Sequence, residues 1–310
     1  MLATFAIAVL AALTAQFASA FTIEVGTCPV GDDDDEEHIA AHYSTIRAAI
    51  NAAAPGTKVL VCPGTYAEQL EITKPLTLKG VQSGNLGAAV IVSPPGGLVV
   101  PPGGFTEGAP QIFAHGVAGE VNVSNLTVDA ANNQITNCSS PNYIIGVYLL
   151  NAGGSVEHVV TRNQNTASGS NCGNGIGIRV YADTIPSDVT VSNDTSSTYD
   201  FARIMAEAPL AKVMINNNSY VEMPGSAAII VFDDVVTTVS NNTVAGNPNG
   251  FSGIAVVGVH NAIVTRNHVG NDPYGITLYT FTGDPSSDGN AITERNIRER
   301  HRRNRSLWRQ

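Results

Sequence analysis

Val191-Ser192-Asn193-Asp194, Ile215-Asn216-Asn217-Asn218, Val239-Ser240-Asn241-Asn242 and Val264-Thr265-Arg266-Asn267 are copies of one short pattern. An apolar residue opens each copy and Asn or Asp closes it. Val160-Thr161-Arg162-Asn163 reads as an earlier copy and Thr293-Glu294-Arg295-Asn296 as a weaker last one, so the closing residues are spaced 31, 24, 24, 25 and 29 apart. Self-similarity at a fixed period of this size means a solenoid, because each unit buries its apolar side only by stacking on its neighbours. Asn suits the turn: it tolerates left-handed backbone and bonds to nearby peptide groups, and stacked amides can bond to one another. The Asn-x-Ser/Thr triplets that result, such as Asn193-Asp194-Thr195 and Asn241-Asn242-Thr243, are read as repeat chemistry.

Composition narrows the solenoid type. Charged residues are 14% of the 310, and Gly (30), Asn, Ser, Thr and Val dominate, which suits short strands and turns. A net charge of −10 argues against nucleic acid as a partner. Residues Met1 to Ala20 hold an apolar run and end Ala18-Ser19-Ala20, the pattern of a cleaved secretory leader, so a secreted protein, extracellular or periplasmic, is expected. No later segment is long and apolar enough to span a bilayer. Cys28, Cys62, Cys138 and Cys172 lack metal-ligand spacing and allow three disulfide pairings. Cys28–Cys62 and Cys138–Cys172 are favoured, since each separation of 34 is near one or two turns of the solenoid.

Along the chain, Phe21 to Val25 alternates as a strand, and the acidic run Asp32 to Glu37 reads as a solvated loop. Tyr43 to Ala54 reads as a helix capped by Ser44, with Ile46, Ala49, Ile50 and Ala53 on one face and Pro55-Gly56 as its stop. Strands follow at Val59 to Cys62, Leu70 to Ile72 and Leu76 to Leu78. Residues 84–110 read as an excursion from the coil, and 131–143 as a longer loop carrying Cys138. Arg295 to Gln310 holds seven arginines and reads as a polar tail. The domain is therefore drawn at 21–294, followed by a tail at 295–310. With no apolar closing segment the last coil is left exposed, a place where an oligomer could form.

Ser44 to Ala53, then Pro55-Gly56, Cys62-Pro63-Gly64-Thr65-Tyr66 and Ile72-Thr73-Lys74-Pro75-Leu76-Thr77-Leu78-Lys79-Gly80 resemble the opening of right-handed parallel β-helix proteins of the pectin-lyase-like superfamily. The resemblance implies an all-β right-handed parallel β-helix of about nine to eleven coils, closed at its N-terminal end by a short helix. That superfamily holds polysaccharide lyases, hydrolases, esterases and epimerases beside members without known activity. Its catalytic signatures are not carried over. Of the Asn-Thr-Asp, Asp-Asp, Gly-His-Gly and Arg-Ile-Lys series only Asp233-Asp234 has a counterpart, and Arg203-Ile204 precedes it, in the wrong order. The Gln-Asp pairs of pectin-esterase-like members, the Trp-Ile-Asp-His segment of pectate-lyase-like ones and the Asp-Pro-His-Asp segment of the epimerase-like branch are missing. His115, His158, His260 and His268 are scattered, and no Met or His cluster supports copper.

A strand follows each Asn turn. With alternating side chains, Val147, Ile178, Ile229, Ile254 and Ile276 point inward. One outward row is then Tyr148, Arg179, Arg203, Ile230, Ala255 and Thr277. A second is Leu150, Tyr181, Met205, Phe232, Val257 and Tyr279, with Asp183, Glu207 and Asp234 at its edge. The expected surface would bind an extracellular polysaccharide. Rings of Tyr148, Tyr181, Phe232 and Tyr279 would meet sugar faces, and Arg179, Arg203, Asp183, Glu207 and Asp234 would serve lyase or hydrolase chemistry. No cofactor is fixed by the sequence; calcium is the one the acids admit. The rival is a noncatalytic structural or adhesive solenoid, in which these residues are solvated or paired side chains. A slip of one residue would turn the whole set over.

Overall fold

A computed structural model describes residues 21–28, 39–82, 87–102, 108–138, 143–166, 172–199, 201–221, 227–246, 252–271, 274–280, 288–293 and 297–298. The leader, the acidic run and most of the Arg-rich tail lie outside them. The chain winds as stacked coils with three strand-bearing faces, and every inter-strand pairing is parallel. Strands joined by parallel crossovers wind right-handed, and so does this stack.

Face one carries Gly175–Tyr181, Ala202–Glu207, Ala227–Phe232, Ser252–Val257 and Ile276–Tyr279 in successive coils. Face two carries Ser187–Ser192, Ala211–Asn216, Val236–Ser240, Ile263–Thr265 and Ala291–Thr293. Face three runs from Gly64–Ala67 to Ile297–Arg298 and has nine strands among the described residues. Two long strands, Gly108–Ser124 and Tyr143–Glu157, round the corner from face one to face two without a break. The corner is tight at Gly154, whose φ is +125° and where a Cβ would lie 2.2 Å from the Val121 carbonyl oxygen.

The interior is filled by every second side chain. Val147, Ile178, Ile204, Ile229 and Ile254 stack in register, and none is more than 1% exposed. Each such burial contributes roughly 1.5–3 kcal/mol relative to an exposed side chain. The expected inward row is therefore present, with Ile204 completing it. The segment 84–110 is an excursion only in part, because Ala89–Val92 forms a face-three strand between Gly64–Ala67 and Leu126–Asp129.

Between faces two and three lies the Asn turn. Asn193, Asn217, Asn241 and Arg266 take left-handed φ of 56–58° and stay on the outside. The next residue, Asp194, Asn218, Asn242 or Asn267, points inward and is 1–3% exposed. These inward residues form a hydrogen-bonded ladder. The Asn218 backbone N–H donates to Asn242 Oδ1 at 3.0 Å and its Nδ2 donates to the same oxygen at 2.9 Å; Asn242 repeats both bonds to Asn267 Oδ1. Strand register puts Val156 opposite Val191, so the matching turn one coil earlier is Glu157-His158-Val159. Val160 to Asn163, expected as the first copy, instead belongs to the face-three strand Val160–Gln164, an offset of four residues from the true alignment at Val156. Asn296 lies outside the described residues.

The cap helix is Ile46–Ala52. It is shorter than expected because Tyr43 ends the preceding strand, Ile39–Tyr43, and Thr45 rather than Ser44 is the N-cap, accepting from Ala48 N at 3.2 Å. The Glu68 carboxylate also accepts from the Ile46 and Arg47 N–H groups at 2.8 and 2.9 Å, placing negative charge where the helix exposes donors. Ile46, Ala49 and Ile50 seal the first coil. Both favoured disulfides form, Cys28–Cys62 and Cys138–Cys172. Among the described residues no helix is long and apolar enough to cross a membrane.

Two stability measurements test this account. Asn242→Ala strands the Asn218 donors and the Ile215 carbonyl, and should lower unfolding free energy by about 2–3 kcal/mol in denaturant titration. Asn241→Ala should cost only ~1 kcal/mol, the strain of left-handed backbone. Replacing Cys28 and Cys62 together by Ser opens a 34-residue separation and should cost about 3 kcal/mol in the same assay.

Candidate functional site

Two outward rows cross face one. The first is Glu71, Phe113, Tyr148, Arg179, Met205, Ile230, Ala255 and Thr277. The second is His115, Leu150, Tyr181, Glu207, Phe232, Val257 and Tyr279. The expected rows differ from these in one coil. Met205, not Arg203, stands beside Arg179, and Glu207, not Met205, stands beside Tyr181. Ala202–Glu207 sits two residues along from the expected register, which preserves which side chains face inward but changes who meets whom.

Arg203 leaves the surface altogether. It is 1% exposed, and its guanidinium reaches across the corner to Ser196 Oγ at 3.0 Å and to the Val221 carbonyl on face three. The residue in the same seat one coil earlier is Gly177, where a Cβ would meet the Arg203 carbonyl oxygen at 2.6 Å.

Arg179 is the centre of the face. Its Nε donates to Glu207 Oε1 at 2.6 Å and its Nη2 donates to the same oxygen. The guanidinium carbon lies 5.0 Å from the ring centres of Tyr143 and Tyr148 and 5.9 Å from that of Tyr181, a cation–π cage of three rings. The two side chains are 13% and 9% exposed. Burial pushes the Glu207 carboxyl above its usual range, with Arg179 opposing. Burial also works against the Arg179 charge, but Glu207 and the tyrosines raise its affinity for the proton above the ordinary value. The Tyr148 hydroxyl is raised by burial. A buried ion pair of this kind holds both partners in place, and removing either leaves a charge uncompensated.

The three acids are held by three different partners. Glu207 belongs to Arg179. Asp183 accepts from Asn151 Nδ2 at 3.0 Å, while Asn151 Oδ1 accepts from the Asp183 and Thr184 N–H groups at 2.9 Å each. Burial and the nearby Asp183 carboxylate hold the Tyr181 hydroxyl above its ordinary value. Asp234 accepts from His260 Nδ1 at 2.6 Å and His260 N at 3.2 Å, and this bond raises the His260 pKa. Among the described residues only Glu24, Cys28 and Cys62 place three potential ligand atoms within 4.8 Å of one another, and those sulfurs are joined as a disulfide. Asp183, Glu207 and Asp234, the acids expected to share calcium, do not form such a group.

Of the four expected rings, Tyr181, Phe232 and Tyr279 are half-buried members of one row at alternate coils, while Tyr148 lies in the neighbouring row and is 3% exposed. Sequence reading missed Tyr143, Asn151 and the Phe113–His115 stack, whose ring centres are 4.5 Å apart with His115 Nε2 2.7 Å from Glu71 Oε1. Period-two alternation in Gly108–Ser124 was the available signal for the last of these. Tyr143 precedes the repeat and carried none. On the opposite side, the outer surface of face two has a shallow groove of ≈390 Å³ flanked by Asp188, Lys212 and Met214.

No protein-family profile matches the chain, and no curated protein matches it. Solved structures similar in backbone path include a pectin methylesterase in complex with a hexasaccharide (14% identity, 84% of this chain and 82% of that one, TM-score 0.48). The pectin methylesterase from Aspergillus niger in deglycosylated form is also similar (14%, 90% and 92%, TM-score 0.49). So is pectin methylesterase PemA from Erwinia chrysanthemi (13%, 84% and 82%, TM-score 0.49). At these values the likeness assigns no residue of this chain a role. Its own parallel pairings, three-faced coils and helical cap give the chain a right-handed parallel β-helix fold.

Proposed function

We propose that the protein is secreted and binds an extracellular polysaccharide along the outer side of face one. The observation that carries this reading is the row Tyr181, Glu207, Phe232, Val257, Tyr279. Its half-buried rings recur at every second coil, ~10 Å apart by strand spacing, close to the repeat of an extended disaccharide. Rings stack on the apolar faces of sugars, and the exposed Asp183 beside Tyr181 supplies an acceptor for hydroxyls. Two disulfides support an oxidising compartment. Sugar-binding neighbours of similar winding, such as the methylesterase bound to a hexasaccharide, agree with a polysaccharide ligand.

Binding suits the geometry better than hydrolysis, because hydrolysis needs two carboxyls flanking one bond. Here each acid is committed to its own partner. The rival, a noncatalytic structural or adhesive solenoid, is favoured by the deep burial of Tyr148, Met205, Ile230 and Ala255 in the first row and of Leu150, Glu207 and Val257 in the second, which leaves the rings of Tyr181, Phe232 and Tyr279 only partly open.

Affinity electrophoresis of the purified chain through neutral and uronic-acid polysaccharides, with and without calcium, tests the proposal. Retardation by at least one polysaccharide is expected. Tyr181→Ala and Tyr279→Ala should each weaken it about three- to tenfold, on the order of 1 kcal/mol, while Met214→Ala on face two leaves it unchanged. No retardation by any polysaccharide, or equal weakening by Met214→Ala, overturns the proposal. Release of unsaturated or reducing ends in the same mixtures would add lyase or hydrolase chemistry to Arg179, Asp183, Glu207 and Asp234.

A further inference from the structure

The Asn ladder has one member of the wrong chemistry. In its lower seats each amide nitrogen donates to a carbonyl one coil back. Asn218 Nδ2 donates to the Val191 carbonyl one coil back, Asn242 Nδ2 to that of Ile215 and Asn267 Nδ2 to that of Val239, at 2.9–3.1 Å. The first two also donate to the Oδ1 of the next seat at 2.9 Å. Asp194 takes the same seat one coil earlier. Its backbone N–H donates to Asn218 Oδ1 at 2.9 Å, and its own Oδ1 accepts from Val159 N at 2.6 Å, as the ladder requires. Its Oδ2 replaces the donating nitrogen. That oxygen is buried and has no hydrogen-bond partner among the described residues, and the residue is 1% exposed. Register places Val156 where Val191, Ile215 and Val239 stand below, so the Oδ2 position is flanked by acceptors: the Val156 carbonyl and Asn218 Oδ1.

We propose that Asp194 is a neutral carboxylic acid in the folded protein, its Oδ2–H standing in for the amide donor of the other rungs, and that this one proton makes the stack a pH-sensitive structure. An ionised Oδ2 would set a buried negative charge against two acceptor oxygens, which no rung tolerates cheaply. The surrounding charges do not relieve it. Glu157, on the coil before, adds negative charge, and His158 beside it is exposed. On the coil after, Asn216, Asn217 and Asn218 are neutral. The buried Arg203 guanidinium is directed to Ser196 and the Val221 carbonyl.

Burial, reinforced by Glu157, holds this carboxyl well above its usual range, with the Val159 N–H bond opposing. The sign of the linkage follows. The unfolded chain ionises near pH 3.9, the folded chain only at higher pH, so stability is fully present below the unfolded value and is lost as pH rises through the folded one. The loss is confined to that window and is absent when the seat holds an amide.

The test compares wild type with Asp194→Asn, which restores the ladder's own side chain at the same size. Thermal melts are taken from pH 4 to pH 9, with infrared difference spectra at pH 7. At pH 4 the two proteins should melt together. By pH 8, Asp194→Asn should melt about 2–4 °C or more above wild type. The spectrum of wild type minus variant should show the carbonyl band of a protonated carboxyl. Asp194→Ala supplies a second subtraction for that band should the amide variant accumulate poorly. Melting curves that stay parallel from pH 4 to pH 9, or difference spectra without the band, overturn the proposal.

Discussion

Coil-to-coil hydrogen bonding is the constraint on which this molecule depends. A short strand of five or six residues, such as Ser187–Ser192 or Ala227–Phe232, cannot bury its apolar side or satisfy its peptide groups alone. Each is completed by the strand above and the strand below on the same face. The whole chain therefore stands or falls on keeping one register through every coil. The Asn turn enforces it. A left-handed residue outside and an amide inside fix the phase at which each coil leaves face two, and the inward amides bond to their neighbours as if they were extra strand positions.

Once register is fixed, the outer surface is a consequence. Side chains at matched positions line up at about 4.8 Å steps, so a row of rings or charges arises from residues far apart in sequence. Arg179 and Glu207 are 28 residues apart and form the most enclosed ion pair described, inside three tyrosine rings. This cage draws on three strands' worth of chain, yet each member is placed by the same lattice that stacks Ile178 on Ile204. The site and the core are two faces of one arrangement.

The solenoid and both disulfides were legible because they depend on periodicity, and periodicity survives degenerate sequence; the parallel winding and the helical cap were legible through the resemblance carried by Ser44 to Gly80. Ile178 and Ile229 lie inside as alternation required. What was not legible depended on local offsets. The strand at Ala202–Glu207 is reached through a connection of different length from its neighbours, so counting from the Asn turn misplaced Arg203, Met205 and Glu207 by two positions. The first ladder copy was lost in the same way, since Val159 carries no amide to mark its seat. Partners chosen by side-chain reach, such as Asn151 for Asp183 or His260 for Asp234, leave no trace in a sequence pattern. The site was therefore legible as a face but not as a set of contacts.

The coils between Asp194 and Asn267 are 24 or 25 residues long and begin and end at the same seat in the ladder. Each is thus a removable disc. A lineage that gained or lost one whole coil of this length would keep the ladder seats in phase. Such an event would leave the fold intact and change only a length. Because the rings of Tyr181, Phe232 and Tyr279 are counted in discs, their separation is set by the number of coils between them.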